Sequence, residues 1–433
     1  MNLKFRLVHG KTLHFLLCTL LLTLSTTAHS EALVSEDEAV RLAIEANREL
    51  KAARFLIAEA KGALVQSRLV PNPEVEFANS SDRAFKNEGE YALSAGFRQR
   101  FPIAGRLTQA EAVARVDVAL AEAEVNERER QVVGETLATF RSLAIINERL
   151  SLYAHLGTRL EELVEVTKKR FKAAEVSESD YNTQQLELER LRILQQTLTL
   201  EQRTKLNELK RVLGKSPADS LSIPGALNTR IPAQALQNIN EHVLSHALNH
   251  RPDRISKLLQ IDRARSEEKL AKAEAWEDWT VGFEFSRDRG VFTEPIGNKQ
   301  DDFLGVSLSI PLPFWNQNEG KAMQAKAAQS RSKGELEALD ATIELKIASV
   351  KNELLSLLPV IARYESELLP LAQKNVKTLR ESYAAGLVSF ASVIQGGQQL
   401  LSFQDQYLDS KIKFAEALTA FQIETVSYLK DEK

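Results

Sequence analysis

Three histidines spaced four residues apart are the side chains whose type and spacing come closest to a metal-binding site. They are His242, His246 and His250, in a segment whose composition predicts a helix. Side chains at i, i+4 and i+8 lie on one face of an α-helix, and imidazoles spaced in this way can bind a divalent cation. The sequence places no carboxylate or thiolate at a position that would complete a metal site with them. We therefore interpret the row as a half-buried or solvent-facing helix face. We expect no dedicated metal site and no cofactor.

The sequence contains none of the short motifs that commonly carry catalysis. It has no phosphate-cradling glycine loop, no Gly-x-Ser-x-Gly nucleophile elbow and no His-Glu-x-x-His metal motif. The only cysteine, Cys18, lies in an apolar run near the N-terminus, so the mature chain would have neither disulfides nor thiolate ligands. We therefore predict that the chain is not an enzyme, and that any energy its function needs comes from a partner.

The composition and the N-terminus predict a helix-rich, exported protein. The 433 residues include only 18 Gly and 12 Pro and carry a formal net charge of -3, which suggests neither disorder nor nucleic-acid binding. Lys4, Arg6 and Lys11 precede an apolar run from Leu13 to Leu24, and small residues follow. This order is typical of a secretory signal peptide, which we place at residues 1–30.

Elements that could position functional side chains occur in the same order twice. In each half a two-faced strand leads through a proline-containing turn into a very long helix. The two junctions are EYALSAGFRQRFPIAGRLTQAEAVA from Glu90 to Ala114 and DDFLGVSLSIPLPFWNQNEGKAMQAKAA from Asp301 to Ala328. They indicate an internal duplication. We predict a first repeat at 31–213, a linker at 214–234, a second repeat at 235–429 and a tail at 430–433.

The helical segments are too long for an ordinary globular domain. The segment from Leu107 to Ala173 contains no proline and would be roughly 100 Å long as one helix. A helix is also predicted at 36–67, and another at 180–213. In the second half we predict helices at 235–276, from about 321 to Tyr383 with kinks at Pro359 and Pro370, and at 392–429. Helices of this length must pack side by side along a rod or tube.

Each half also contains two strands, at 74–101 and 279–312, with one apolar face and one polar face. The apolar side chains are Val75, Phe77, Leu93, Phe97, Val281, Phe283, Leu304 and Leu308, and the polar or small ones are Glu74, Glu76, Ser94, Gly96, Glu284, Ser307 and Ser309. Strands of about ten residues cross an outer membrane when tilted. The aromatic residues at the strand ends fit the girdles found at membrane surfaces. These are Phe101, Trp279, Phe314 and Trp315.

Four strands cannot close a membrane barrel, so their edges must be paired by other copies of the chain. Two copies would give a barrel packed solid inside, and three would give one wide enough for a channel. The predicted fold class is mainly α with a membrane β-barrel, built from a tandem repeat of helix, strand, strand, long helix, tip and helix. A soluble helical rod with two small β-hairpins is the alternative.

Four motifs resemble those of the TolC-type outer-membrane efflux channels. They are FPIAGR at 101–106, Arg-Pro-Asp at 251–253, PLPFWNQNEG at 311–320 and YAAGLVS at 383–389. The third looks most like the heavy-metal-efflux branch, the CzcC type. The resemblance implies a homotrimer with one twelve-stranded barrel in outer-membrane lipid and a long α-helical coiled-coil tunnel in the periplasm. It also implies docking through a periplasmic adaptor (a membrane fusion protein) onto an inner-membrane RND-type pump.

The same resemblance implies that two helix–helix turns form the periplasmic end, where the adaptor docks. The first tip contains Ala174, Glu175 and Val176, and the second contains Gly386, Leu387 and Val388. Ala174 stands where the family usually has glycine, so we expect the first tip to turn differently from the second.

Four residues near the tips match the entrance of related channels. Asp180 and Tyr383 match an aspartate and a tyrosine that link neighbouring hairpins and hold the entrance shut; such a bond contributes about 1.5–3 kcal/mol. An ordinary helix N-cap for Asp180 and coiled-coil packing for Tyr383 are the alternatives. Ser392 and Gln395 stand where drug-type relatives place aspartates, so we expect no ring of negative charge there.

Together these features predict a passive exit duct, and the resemblance favours divalent heavy-metal cations as its cargo. A multidrug or type I secretion channel is the alternative within the same class. A periplasmic coiled-coil scaffold or adaptor is the alternative from another class.

Overall fold

The computed structural model describes residues 33–85, 88–225, 241–293 and 296–427. The predicted signal peptide, part of the predicted linker and the predicted tail lie outside these ranges. The helices are α1 Glu36–Ala46, α2 Arg48–Ala53, α3 Phe55–Ser67, α4 Arg106–Lys172, α5 Glu178–Val212, α6 Glu241–His250, α7 Pro252–Ala273, α8 Glu319–Arg363, α9 Leu369–Ala384 and α10 Phe390–Glu424. The strands are β1 Glu74–Ser81, β2 Tyr91–Phe101, β3 Trp279–Thr293 and β4 Ile296–Ser309.

The two halves have the same order of elements, and each ends in a long helical hairpin. In the first half α4 packs against α5, and in the second half α8 and α9 pack against α10. Helix α4 is 67 residues long, which corresponds to roughly 100 Å. The prediction of a mainly helical chain with a few antiparallel strands is confirmed. Among the described residues, no helix is both long enough and apolar enough to cross a membrane.

The four strands form one antiparallel sheet in the order β1-β2-β3-β4. The sequence predicted a hairpin in each half, and the structure adds the pairing of β2 with β3, in which Phe101 lies opposite Trp279. Strand β1 pairs only with β2, and β4 pairs only with β3, within the part of the chain that the structure describes. The outer edges of β1 and β4 are therefore open in a single copy.

The segment predicted as one helix from 36 to 67 is divided into three, so that prediction was wrong in detail. Asn47 ends α1 with an extended ψ of 126° and caps α2, because its side chain accepts a hydrogen bond from the Leu50 N–H at 2.9 Å. The side-chain amide of Asn47 also donates to the carbonyl oxygen of Val212 at 2.9 Å. A buried asparagine that bonds to two segments outweighs the helix propensity of its neighbours.

The predicted interruption of the third long helix lies between the two prolines. Pro359 is inside α8, whereas residues Tyr364–Leu368 form a π-helical turn directly before Pro370 in the first turn of α9. Proline has no N–H to donate to the carbonyl four residues earlier, so Pro370 favours a local change in the hydrogen-bonding pattern.

The largest buried cluster lies where α1, α4 and α5 meet. It includes Leu143, Leu209 and Leu213, together with Leu221 and Ile223 from the segment after α5. Gly214 makes this packing possible, because its φ is +67° and an added Cβ would lie 2.2 Å from the carbonyl oxygen of Ala46. Leu221 and Ile223 thus attach the segment after α5 to the packed body.

Candidate functional site

The sheet has one face covered by apolar side chains that remain exposed in a single copy. Two neighbouring rows run across all four strands, from Val75 through Phe97 and Phe283 to Val306 and from Phe77 through Ala95 and Phe285 to Leu304. Phe77 is 78% exposed and Leu304 is 82% exposed. We call this surface the apolar face. An unbroken apolar area of this kind on a folded chain marks a surface for lipid or for another protein.

The opposite face of the sheet is mainly polar, as the sequence predicted. Arg98 donates to Glu76 at 2.9 Å across β1 and β2, and Arg100 pairs with Glu74 in the same way. Phe303, opposite Ser286, is an apolar exception on this face. The alternation along the strands therefore separates an apolar surface from one that favours water.

The four predicted girdle residues lie at the end of the sheet nearest the helices. Phe101 and Trp279 are cross-strand neighbours. Phe314 and Trp315 contact each other edge to face, with ring centroids 6.2 Å apart, and Trp315 is 96% exposed. Such a large exposed indole is favoured at the boundary between lipid and water.

An ion pair joins the two halves where the strands meet the helices. Arg106, the last residue of the FPIAGR motif, donates to the carboxylate of Asp278 at 2.8 Å. Ala104 and Gly105 have φ values of 54° and 70°, which turn the chain sharply between β2 and α4. The sequence singled out this motif without a role for Arg106, because its partner is 172 positions away.

Both tips make the same turn, so the expectation that the first tip would differ was wrong. Ala174 has φ 61° and Gly386 has φ 75°. The N–H of Glu175 donates to the Arg170 carbonyl, and that of Leu387 donates to the Ser382 carbonyl, each at 2.9 Å. This is the hydrogen-bond pattern of a helix that ends in a left-handed residue. Ala174 adopts the left-handed conformation at a steric cost that glycine would not have.

No family model matches the chain. The chain is 20% identical over 381 residues to the cobalt-zinc-cadmium resistance protein CzcC of Cupriavidus metallidurans, and the match covers 86% of this chain and 85% of that protein. The solved structure of CusC, described for its folding and transmembrane channel formation, matches with a TM-score of 0.73 and 15% identity over 91% of this chain and 92% of that one. The CmeC outer membrane channel of Campylobacter jejuni matches with a TM-score of 0.72 and 13% identity over 100% and 95%.

The chain has the fold of the TolC-type outer-membrane channels. The resemblance that the four motifs predicted, including the likeness to CzcC, is confirmed. The predicted location, an outer membrane with a helical extension into the periplasm, agrees with this fold.

In a single copy Asp180 and Tyr383 have separate partners. Asp180 forms a reciprocal cap with Ser177: its N–H donates to the Ser177 hydroxyl at 3.1 Å, and that hydroxyl donates to its carboxylate at 2.8 Å. The Tyr383 ring packs against Phe390 at 5.5 Å and under the Arg170 guanidinium at 5.8 Å. The N-cap of α5 is Ser177 and not Asp180, so the N-cap alternative for Asp180 was wrong, and Asp180 instead supports that cap from the first turn. Tyr383 has a packing role in a single copy, and the latch between hairpins stays a prediction.

Ser392 and Gln395 lie in the first turns of α10, just after the second tip. Ser389 caps this helix by accepting from the Ser392 N–H at 3.4 Å, and the two serine hydroxyls are 3.1 Å apart. Gln395 is exposed. Neither side chain carries a charge, so these two positions could not form a ring of negative charge at the entrance.

The histidine row attaches α6 to the end of α10. His246 Nδ1 lies 3.2 Å from the carbonyl oxygen of Thr425, and His250 Nδ1 lies 2.9 Å from that of His246. A carbonyl can only accept, so each Nδ1 carries the proton. The two rings stack with centroids 4.2 Å apart. In the described ranges, no group of three or more His, Cys, Asp or Glu side chains is placed to hold a metal ion.

The Arg-Pro-Asp motif begins α7 and secures the end of α10. Arg251 is only 3% exposed; it donates to the Asp253 carboxylate at 2.7 Å and 3.1 Å, and also binds the carbonyl oxygen and the carboxylate of Glu424. Burial alone would raise the pKa of Asp253, but the hydrogen bonds and charge of Arg251 outweigh it and hold that pKa below its usual value. Sequence analysis assigned no structural role to this motif, because Glu424 is 173 positions away from Arg251.

Proposed function

We propose that three copies of this chain form a passive duct through the outer membrane, as the exit component of a tripartite efflux system. The observation that carries the proposal is the four-stranded sheet with an exposed apolar face and two open edges. Backbone N–H and C=O groups on an open edge cannot remain unpaired in lipid, because each would cost several kcal/mol. Pairing β1 of one copy with β4 of the next removes both edges.

Three copies give twelve strands, which is more than the eight of the smallest membrane barrels and leaves room for an aqueous lumen. The apolar face would then contact lipid, and the polar face with its Arg98–Glu76 pair would line the lumen. The exposed aromatic residues near Trp315 would lie at the periplasmic surface of the outer membrane. A two-copy barrel would be filled by its own side chains and could not conduct.

The helical hairpins would continue the duct into the periplasm. The length of α4, 67 residues, is roughly three times the thickness of a bilayer's hydrocarbon core. The two tips would be its far end and the docking site of a periplasmic adaptor, which connects the duct to an RND-type inner-membrane pump. The pump would supply the energy and most of the selectivity.

Divalent heavy-metal cations are the cargo that we propose. The similarity to CzcC, a cobalt-zinc-cadmium resistance protein, supports this choice. A strain that lacks the gene should become sensitive to zinc, cobalt and cadmium and keep its resistance to hydrophobic drugs. Sensitivity to drugs alone would instead indicate a multidrug channel.

Fractionation and conductance together test the duct itself. The chain should remain in the outer membrane after a high-salt wash, run as a heat-sensitive trimer, and form ion-conducting channels in planar bilayers. A periplasmic scaffold or adaptor would wash off at high salt and conduct nothing.

A further inference from the structure

A cavity of about 120 Å³ lies between the two helical hairpins of one copy. Helices α4 and α5 form one wall, and α9 and α10 form the other. Leucines and valine dominate its lining, among them Leu156, Leu160, Leu191 and Val393. An engineered apolar cavity of about 150 Å³ binds benzene. The cavity between the hairpins therefore has room for most of an aromatic ring or for a short alkyl chain.

The charged side chains that line this cavity are mostly positive. Three arginines, Arg159, Arg190 and Arg380, accompany a single carboxylate, that of Glu187, so three positive charges against one negative charge leave an excess of two. The carboxylate is already engaged, because Arg190 pairs with it at 3.5 Å and the Gln398 amide donates to it at 2.6 Å.

Two of the three arginines have no counter-ion. Arg159 and Arg380 are exposed, and neither forms an ion pair within the described part of the chain. Both guanidiniums border the same apolar space, one from each hairpin. An anion between them would reduce the repulsion of two like charges and would accept their hydrogen bonds.

A pair of glycines in α10 indicates that the space is kept open. A Cβ added to Gly396 would lie 2.5 Å from Cδ1 of Leu379, so this glycine allows α9 and α10 to pack closely. Gly397 lines the cavity, and a Cβ added there would meet nothing within 4 Å. Glycine inside a helix is destabilising relative to alanine, and no close contact accounts for it at Gly397. Room for a bound group would account for it.

We propose that this cavity binds a small anion with an apolar body, of the class of aromatic and short-chain alkyl carboxylates. The apolar body would replace water against the leucine lining. The carboxylate would accept hydrogen bonds from Arg159 and Arg380, whose planar guanidiniums match its geometry. Such a ligand would contact both hairpins and hold them together. The site lies within one copy, so it does not depend on the proposed ring.

Two ligands of the same shape test the site in the full-length chain. Phenylbutyrate carries a phenyl ring and a carboxylate at opposite ends of a short methylene chain, and phenylbutanol replaces the carboxylate with a hydroxyl. In isothermal titration of the chain in lipid nanodiscs, corrected with empty nanodiscs, phenylbutyrate should bind saturably in roughly the millimolar range or tighter. It should bind at least about tenfold more tightly than phenylbutanol, because only the carboxylate forms charge-assisted bonds. Equal affinities, or no saturable binding of phenylbutyrate, would overturn the proposal.

Filling the cavity gives a second test. Gly397→Leu places a side chain in the open space and should weaken phenylbutyrate binding at least about tenfold. Gln399→Leu is the matched control: Gln399 is exposed and does not line the cavity, so this variant should bind like the parent chain. Unchanged affinity in Gly397→Leu would place the ligand elsewhere and overturn the site.

Removing the two unpaired charges separates recognition from folding. Arg159→Gln combined with Arg380→Gln should lower the affinity for phenylbutyrate to that for phenylbutanol and leave phenylbutanol binding unchanged, which a misfolded chain would not do. Arg203→Gln, at an exposed arginine of α5 that also has no ion pair in the described ranges, is the control and should change neither affinity. Full phenylbutyrate affinity in the double variant would contradict recognition by these arginines.

Discussion

At the scale of single residues, buried arginines attach the end of α10 to the rest of the helical body. Arg141 is 4% exposed and bonds to Glu36 at 2.5 Å, to Thr419 at 2.7 Å and to Gln422 at 2.7 Å. Arg251 does the same from α7 through Glu424. Each buried guanidinium donates to carboxylates and to backbone, hydroxyl or amide oxygens. These bonds therefore hold α10 of the second half in a fixed position against α1 and α4 of the first half.

Removing one of these charges should be costly. We expect Arg251→Gln to lower the free energy of unfolding by about 3 kcal/mol, because Asp253 and Glu424 are partly buried and would lose the guanidinium that bonds to both. Thermal unfolding of the detergent-purified chain, followed by circular dichroism, measures this change. Arg265→Gln, on the exposed side of the same helix, is the matched control and should differ little from the parent chain. Similar loss in both variants would remove the special role of Arg251.

The lowered pKa of Asp253 predicts acid sensitivity. A carboxyl whose pKa is lower in the folded state stabilises the fold above its unfolded pKa, and this contribution disappears as the pH falls through its folded pKa. We therefore expect stability to fall below about pH 4. The drop in unfolding midpoint between pH 7 and pH 3 should be smaller for Asp253→Asn. An equal drop in both proteins would show that Asp253 does not contribute.

At the scale of elements, the periodic patterns predicted most of the helices and the two faces of the strands. A period of two placed Phe77 and Phe283 on one face, because side-chain alternation is local. Local patterns could not predict the β2–β3 pairing, the partners of Arg106 and Arg251 or the break at Asn47, since each depends on a contact far along the chain. The turn at Ala174 was missed because glycine was taken as a requirement, whereas the flanking helices impose the turn.

The equivalence of the two tips gives a paired test. Ala174→Gly should raise the free energy of unfolding by about 1 kcal/mol, and Gly386→Ala should lower it by a similar amount, because alanine is strained at positive φ. Denaturant or thermal unfolding of both variants against the parent chain measures the difference. Shifts in the same direction would contradict a shared turn.

The predicted entrance latch is a property of neighbouring hairpins. Tyr383→Phe keeps the ring that packs against Phe390 and Arg170 and removes only the hydroxyl. Combined with Asp180→Ala, it should raise single-channel conductance in planar bilayers, because the bond that holds the hairpins together is lost. Ser177→Ala removes the hydroxyl that bonds to Asp180 but keeps both latch side chains, so it controls for loss of the helix cap. Unchanged conductance in the double variant would eliminate the latch.

At the scale of the whole molecule, the sheet of a single copy is incomplete in two ways. It has two open edges, and its apolar face is exposed. The proposed ring of three copies would resolve both, because pairing β1 of one copy with β4 of the next closes the sheet and turns the apolar face to lipid. The long hairpins of the three copies would then enclose a tunnel.

High-resolution single-particle imaging of the purified chain in lipid nanodiscs tests the central claim most directly. It should show three copies and twelve strands around one lumen, with β1 of each copy hydrogen-bonded to β4 of the next and the Phe77 and Leu304 rows against lipid. A single copy with both sheet edges unpaired, lying outside the lipid, would contradict the account.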